Sequence, residues 1–362
     1  MSERNIKTGP IFDRTFSRLG EVLKPVEFPR SPEEYQVIDL GNGNLPLADK
    51  IVRQTESEYA PDYDRLSFAS PGMTYTAETD TALLEEWIPN PSGQRFLDIG
   101  CGTGRIALPL SEYGRVYAIE TARPYFDPLI EKAALGAIVP ANLRLGVGDI
   151  QSMPFKVLQD FLEGQSVDVA LLWFGPLALM TTDPQAVLDK CAKSLTLGGS
   201  LVLTTNSLDS LSYRIPEAAL KIGRNPELPL GYEPSIRTRR SFSDPDSNLP
   251  DGMILANDLV LPARFYDPGE LRRMVEKTGL QVMETRGITR LTGLYPAKPS
   301  KENIELFIGI VSKIEPEAGE RMQRFSDPES IWKIAVEFDD RFCQDTDKLS
   351  QYNYPAIRAV KG

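Results

Sequence analysis

The chain has 362 residues, 41% hydrophobic and 25% charged, enough apolar material for one large domain or one domain with an elaborated cap. Its formal net charge of −11 argues against a broad phosphate-neutralising surface, so no nucleic-acid partner is expected. It contains no histidine, which excludes Ser-His-Asp triads, Cys-His pairs and His-ligated metal sites and leaves any general base to Asp, Glu, Tyr, Lys, Cys or water.

Met1–Asn5 is polar and lacks the apolar core of a secretory leader. Ser31-Pro32-Glu33-Glu34 has the form of a helix start, with Ser as N-cap and Pro in the first turn. Further helices are expected over Glu56–Leu66, which includes Tyr59 and Tyr63, and over Thr76–Trp87, stopped by Pro89-Asn90-Pro91. From Gln94 to Asn206 apolar strands alternate with helices. The strands are Arg95–Ile99, Arg115–Glu120, Leu143–Val147, Val167–Trp173 and Ser200–Thr205, with helices over Arg105–Tyr113 and from Asp183 to Leu195. Such alternation predicts a parallel sheet covered on both faces, wound as a doubly wound α/β domain.

Residues 207–262 are rich in Pro, Ser, Asn and Asp and form an insertion after the fifth strand. The basic run Arg237-Thr238-Arg239-Arg240 lies there, but acidic residues follow it directly, so it is a solvated loop rather than a polyanion site. Asp267 and Glu270 form a capping box for a helix that feeds the strand Leu280–Thr285. Two amphipathic helices follow, carried by Ile304, Phe307, Ile308, Val311 and Ile314 and by Ile331, Ile334, Ala335, Phe338 and Phe342. Ala356–Val360 is a candidate final strand. The longest apolar stretch, Val169–Met180, is shorter than the ~20 residues a membrane span needs, so no membrane partner is expected. Cys101, Cys191 and Cys343 are odd in number and widely spaced, which predicts free thiols and a cytoplasmic setting.

The first strand of the alternating region ends in Asp98, and glycines at 100, 102 and 104 follow. They permit a tight turn and close approach of a ligand to the backbone, in the spacing G-x-G-x-G rather than the dinucleotide G-x-G-x-x-G. Alone, three alternate glycines are a weak signal. The second strand ends in Glu120, which lies 120 − 98 = 22 positions beyond Asp98 and can accept from both hydroxyls of a ribose. The third strand ends in Gly148-Asp149-Ile150, where the carboxylate can accept from an adenine amino group and Ile150 can lie against the ring. All three elements fall at the C-terminal ends of neighbouring strands, where open α/β sheets bind ligands.

With these residues the sequence resembles the class I S-adenosylmethionine-dependent methyltransferases. The resemblance is carried by Leu97–Gly104, Ala118–Glu120, Gly148–Ile150, Val167–Ala170 and Leu195–Ser200. It covers Ser92–Asn206 closely, with a weaker echo from Arg264 to Met283. It implies a doubly wound, seven-stranded Rossmann-like sheet with a helical N-terminal lid and cap insertions. It further implies a lid over residues 1–90, a cofactor-binding core over 91–206, the cap insertion over 207–262, and the rest of the core with two inserted helices over 263–362. By resemblance the cofactor is S-adenosylmethionine. The loop Gly100–Gly104, with Asp98, Cys101, Gly102 and Thr103, would pass under its methionine part. Glu120 and Thr121 would hold the ribose, and Asp149 and Ile150 the adenine. Trp173 and Phe174 would flank the methyl, and Tyr63 would cover the site together with Tyr59.

Departures from the family narrow the chemistry. After the fourth strand stands Trp173-Phe174-Gly175-Pro176, not the Asn/Asp-Pro-Pro-Tyr/Phe of enzymes that methylate exocyclic or amide nitrogens, and no Pro-Cys nucleophile is present. The carboxylate used there by metal-dependent members is also missing, so no metal is expected. Displacement from a sulfonium needs alignment and exclusion of water more than a base. The lack of histidine therefore ranks N-methylation above O-methylation, with C-methylation third. Acidic charge favours a small-molecule substrate, with Tyr75, Asn206, Tyr232, Arg264 and Tyr266 as candidate lining residues beside Trp173 and Phe174. Readings from other classes are a cofactor-binding fold that catalyses a non-methylating, cyclase-like reaction or serves as a scaffold, and a protein or RNA methyltransferase that docks through 207–262.

Overall fold

The computed structural model describes residues 71–135, 142–180, 183–207, 266–296, 299–343 and 354–362. It also describes short backbone pieces at 26–27, 38–39, 44–45, 253–256 and 259–264, and the positions Ala60, Tyr63, Asp64 and Tyr352. The expected helix start at Ser31, Tyr59 and most of the 207–262 insertion lie outside these residues.

In chain order the elements are β1 Val26–Glu27, β2 Ile38–Asp39, β3 Asn44–Leu45, α1 Pro71–Trp87, β4 Arg95–Ile99, α2 Ala107–Ser111 and β5 Arg115–Glu120. Then come α3 Phe126–Leu135, β6 Leu143–Val147, α4 Phe155–Phe161, β7 Val167–Leu172, α5 Pro176–Leu179, α6 Pro184–Ser194 and β8 Leu195–Thr204. The last third holds β9 Met253–Ala256, β10 Leu259–Arg264, α7 Pro268–Lys277, β11 Leu280–Ile288, α8 Lys301–Ile314, α9 Pro316–Met322, α10 Pro328–Phe342 and β12 Tyr354–Lys361.

One sheet organises the domain, in the order β1-β6-β5-β4-β7-β8-β12-β11. Without the two-residue edge strand β1 it is a seven-stranded mixed sheet. Strands β6 to β8 pair in parallel. Their side chains alternate between two apolar clusters: Phe96, Val116 and Ala118 pack on one face, Leu97, Tyr117 and Ile119 on the other. The five strands of the alternating region are parallel, as expected, and the antiparallel pairing in this sheet is confined to the two strands that follow them. β12 lies between β8 and β11 and is antiparallel to both. An eight-residue strand that returns from a distant part of the chain carries no local mark of direction.

Local chemistry explains the element ends. Asp183 Oδ1 accepts from Ala186 N at 2.9 Å, and Asp267 Oδ1 accepts from Gly269 N and Glu270 N at 2.9 and 3.1 Å, so both predicted N-caps are made. The expected helix Arg105–Tyr113 shrinks to Ala107–Ser111. α1 begins at Pro71, before the expected Thr76. The segment Leu197-Gly198-Gly199 forms an irregularity inside β8, where the pairing jumps from Leu195 opposite Val167 to Ser200 opposite Val169.

The two predicted amphipathic helices, α8 and α10, are joined by α9 and enclose their own core of Ile304, Phe307, Ile331 and Phe338. Asp339 fastens this bundle to the sheet by accepting from the amides of Arg290, Leu291 and Thr292 at 2.9, 2.7 and 3.0 Å. Among the described residues, no helix is long and apolar enough to cross a membrane.

Candidate functional site

A single cleft gathers the C-terminal ends of β4, β5, β6 and β7. Its wall includes Tyr63, Asp98, Gly100, Cys101, Gly102, Thr103, Glu120, Thr121, Asp149, Trp173 and Phe174. Eleven of the thirteen expected cofactor residues therefore meet there. The other two lie behind the wall. Gly104 packs against Leu108 and Leu129, and Ile150 is buried in the core.

The loop after β4 is held by backbone bonds from Gly100 N and Cys101 N to Ile119 O at 2.8 and 3.2 Å. Gly102 has φ +52°, and the position of a Cβ on it has no atom of a described residue within 4 Å. Its α-carbon faces open cleft. Glu120 closes the loop from β5, accepting from Gly102 N at 2.9 Å through Oε2 and from Thr121 N and Ala122 N at 2.7 and 3.1 Å through Oε1. Burial raises its pKa while these three amides oppose the rise. Asp149 Oδ1 accepts from Gln151 N at 2.9 Å, which turns the chain after β6 back toward the cleft. Lys190 Nζ, from α6, braces that turn by donating to the carbonyls of Ile150 and Gln151 at 2.7 and 2.8 Å.

Asp98 is the most unusual of the carboxylates. It is 2% exposed, and its buried Oδ2 has no hydrogen-bond partner among the described residues. Burial and the nearby Glu120 push its pKa up to about 7. A buried acceptor of this kind fits a ligand that brings a cationic donor. Cys101 also lines the cleft, but burial and the two carboxylates Asp98 and Glu120 push its thiol well above its usual range. It is therefore protonated at neutral pH and no nucleophile.

The far wall is aromatic. Trp173 meets Trp87 edge to face at 6.1 Å, and Phe174 stacks on Tyr354 at 5.4 Å. Phe174 has φ +70°, held by its amide donating to Thr204 Oγ1 at 2.5 Å. Strained backbone at a non-glycine residue is characteristic of sites whose geometry the surroundings impose. The Arg105 guanidinium lies 4.9 Å from the Phe174 ring centre and pairs bidentately with the buried Asp80 of α1 at 2.8 and 2.7 Å.

Arg105, Tyr125, Gln151, Leu179 and Met180 line the cleft without having been expected there. Gln151 had a usable signal in its place beside Asp149. Leu179 and Met180 were visible only as the end of an apolar run, and the Arg105–Asp80 pair spans 25 residues with no shared local pattern.

The expected substrate residues scatter. Tyr75 turns to the helical bundle, meeting Trp332 at 5.4 Å and donating to Asp340 at 3.1 Å. Tyr266 is fully buried, with its hydroxyl 3.4 Å from Leu177 O. Asn206 sits next to the cleft, its Oδ1 3.3 Å from where a Cβ would stand on the cleft residue Gly175. Tyr232 and the side chain of Arg264 lie outside the described residues.

Comparison with known proteins agrees with this geometry. Residues 96–199 match the family model for a methyltransferase domain. The chain is 26% identical over 171 residues to the malonyl-acyl-carrier-protein O-methyltransferase of Haemophilus influenzae, an alignment covering 47% of this chain and 59% of that relative. It thus spans little more than half of that protein's length. An uncharacterized methyltransferase of Mycobacterium bovis is 24% identical over 219 residues, 60% of this chain and 80% of the relative. Among solved structures, magnesium protoporphyrin IX methyltransferase of Synechocystis with bound S-adenosylhomocysteine aligns over 86% of this chain and 99% of its own, at 12% identity and a TM-score of 0.47. The glycine loop and the carboxylates at the ends of successive strands fall within the stretch that matches the methyltransferase-domain model, residues 96–199.

Proposed function

We propose that this protein transfers a methyl group from S-adenosylmethionine to a nitrogen, or second to an oxygen, of a small cytoplasmic metabolite without a metal ion. The observation that carries the proposal is the division of the cleft. Its carboxylates are grouped at the ends of β4, β5 and β6, while Trp173 and Phe174, after β7, form an aromatic wall. The orphaned Oδ2 of Asp98 and the open face of Gly102 fit the cofactor's methionine part. In this reading Asp98 would hold the α-ammonium, Glu120 with Thr121 the ribose, and Asp149 the adenine amino group.

When bound, the cofactor supplies a methyl already activated by a sulfonium leaving group. The protein's tasks are then alignment within ~3–3.5 Å and exclusion of water. Tyr63, Trp173, Phe174, Leu179 and Met180 provide apolar and aromatic cover for both tasks. No base is required for a neutral amine, whose proton leaves after transfer, and a carboxylate oxygen needs none either. This suits a cleft whose thiol stays protonated and whose carboxylates would be engaged by the cofactor. The α8–α10 bundle, together with the segments 1–90 and 207–262, would enclose the acceptor.

Turnover with methyl-labelled cofactor and a metabolite extract, followed by mass spectrometry, tests the proposal. A small product heavier by one labelled methyl is expected. A product of unchanged mass would fit the cyclase-like reading instead, and label on protein or RNA would fit a macromolecular acceptor. A second test concerns the adenine side. Lys190→Met removes the single ammonium that braces both Ile150 and Gln151, and the loss of these charge-assisted bonds should weaken S-adenosylhomocysteine binding by about three- to tenfold. Calorimetric titration gives the answer directly, and unchanged affinity would show that the brace has no part in binding.

A further inference from the structure

The chain around Tyr63 joins the glycine loop through a polar cluster that none of the roles above uses. Thr103 Oγ1 donates to Asp64 Oδ1 at 2.7 Å. Lys132, from α3, forms an ion pair with Asp64 and donates from Nζ to Thr103 O at 3.2 Å. One carboxylate, one ammonium and the hydroxyl and carbonyl of Thr103 thus close a ring. It ties together stretches 39 and 29 residues apart in the chain. Beside it Tyr63 meets Tyr125 edge to face at 5.2 Å, and Tyr125 packs with Ala60 and Ala122. Both tyrosines line the cleft.

A lone ion pair whose side chains are 33% and 37% exposed would contribute little to stability. What sets this one apart is its attachment. Its third member belongs to the loop that faces the cleft, between Gly102 and Gly104. The charged groups also share their hydrogen bonds with that loop rather than with solvent alone.

We propose that Asp64 is a positioning residue: through Lys132 and Thr103 it holds Tyr63 against the cleft, so that the grip on the cofactor depends on this junction. The inference rests on the cleft's being the cofactor site. Because cleft and junction share Thr103, a ligand that orders the loop favours the junction, and the junction favours the ligand to the same degree. The ion pair is about one-third exposed, so this contribution weakens as salt rises.

The test uses the full chain with S-adenosylhomocysteine as the probe, in calorimetric titrations of the unmodified protein, Asp64→Asn and Lys132→Met. Each variant is expected to bind about three- to tenfold more weakly, with a ligand-free unfolding temperature within about 2 °C of the unmodified chain. Hydrogen exchange in the peptide bearing Tyr63 should quicken in both variants. The salt dependence of affinity seen in the unmodified chain should shrink in them. Variants that bind as tightly as the unmodified chain, or that lose affinity only together with their unfolding temperature, would overturn the proposal. Failure of the unmodified chain to bind the probe at all would instead refute the cofactor site itself.

Discussion

Asp98→Asn is expected to weaken S-adenosylmethionine binding by about a hundredfold or more, because it leaves a buried ammonium of the ligand without its counter-charge. The unmodified chain should also show a pH dependence that this variant lacks. Asp98 titrates at about 7 in the ligand-free protein. A ligand that brings a cation binds the ionised carboxylate, so affinity should rise about tenfold per pH unit up to about pH 7 and level off above. Binding below that point must release a proton, which titrations in buffers of different ionisation enthalpy will count.

The same group acts on stability with the opposite sense. Its pKa is higher folded than at its ordinary value of 3.8, so the native state binds the proton more tightly than the unfolded chain does. Its favourable contribution is fully present below about pH 4 and is lost as pH rises through about 7. The neutral Asp98→Asn side chain escapes that loss. The variant should therefore unfold at a higher temperature than the ligand-free parent at about pH 8, even though it binds the cofactor poorly. A variant that loses both affinity and stability at that pH would contradict the assignment.

Two glycines of one loop should behave in opposite ways when changed to alanine. At Gly104, with φ +82°, the new Cβ would stand 2.8 and 2.9 Å from Leu129 Cγ and Cδ1 and 3.0 Å from Leu108 Cγ. Overpacking and left-handed strain together predict a loss of about 3 kcal/mol, seen as a fall of several degrees in unfolding temperature. At Gly102, with φ +52°, the Cβ meets no described residue within 4 Å. Only the backbone cost of about 1 kcal/mol applies to the fold. The methyl instead occupies the space offered to the cofactor, so Gly102→Ala should stay folded and bind at least about tenfold more weakly. Thermal unfolding and calorimetry on the two variants separate a packing glycine from a binding one. Equal behaviour would refute the distinction.

What was legible in the sequence follows from the range of the interactions. β4, β5 and β6 have the expected bounds, since short apolar runs between turn signals mark their own ends. That Gly100, Gly102, Glu120 and Asp149 share one cleft was legible because the C-terminal ends of neighbouring parallel strands meet at one edge of an open α/β sheet. Contacts across the fold were not. Asp80 reaches Arg105, Asp64 reaches Thr103 and Lys132, and Lys190 reaches the carbonyls after Asp149, each by a partner that no local spacing announces. Tyr75 and Tyr266 illustrate the converse. As polar aromatics near the core they had the right chemistry for a substrate wall, but one packs on Trp332 and the other is enclosed. β12 was legible as a strand and not as an antiparallel insert, because strand direction is set by a partner elsewhere in the chain.

The cleft at the ends of β4 to β7 is proposed to hold S-adenosylmethionine. Calorimetric titration of the unmodified chain and of Glu120→Ala, each with S-adenosylmethionine and with NAD, tests it most directly. The expected result is saturable one-site binding of S-adenosylmethionine by the unmodified chain, its loss in Glu120→Ala, and no binding of NAD. Preference for NAD, or S-adenosylmethionine binding that survives in Glu120→Ala, would contradict it.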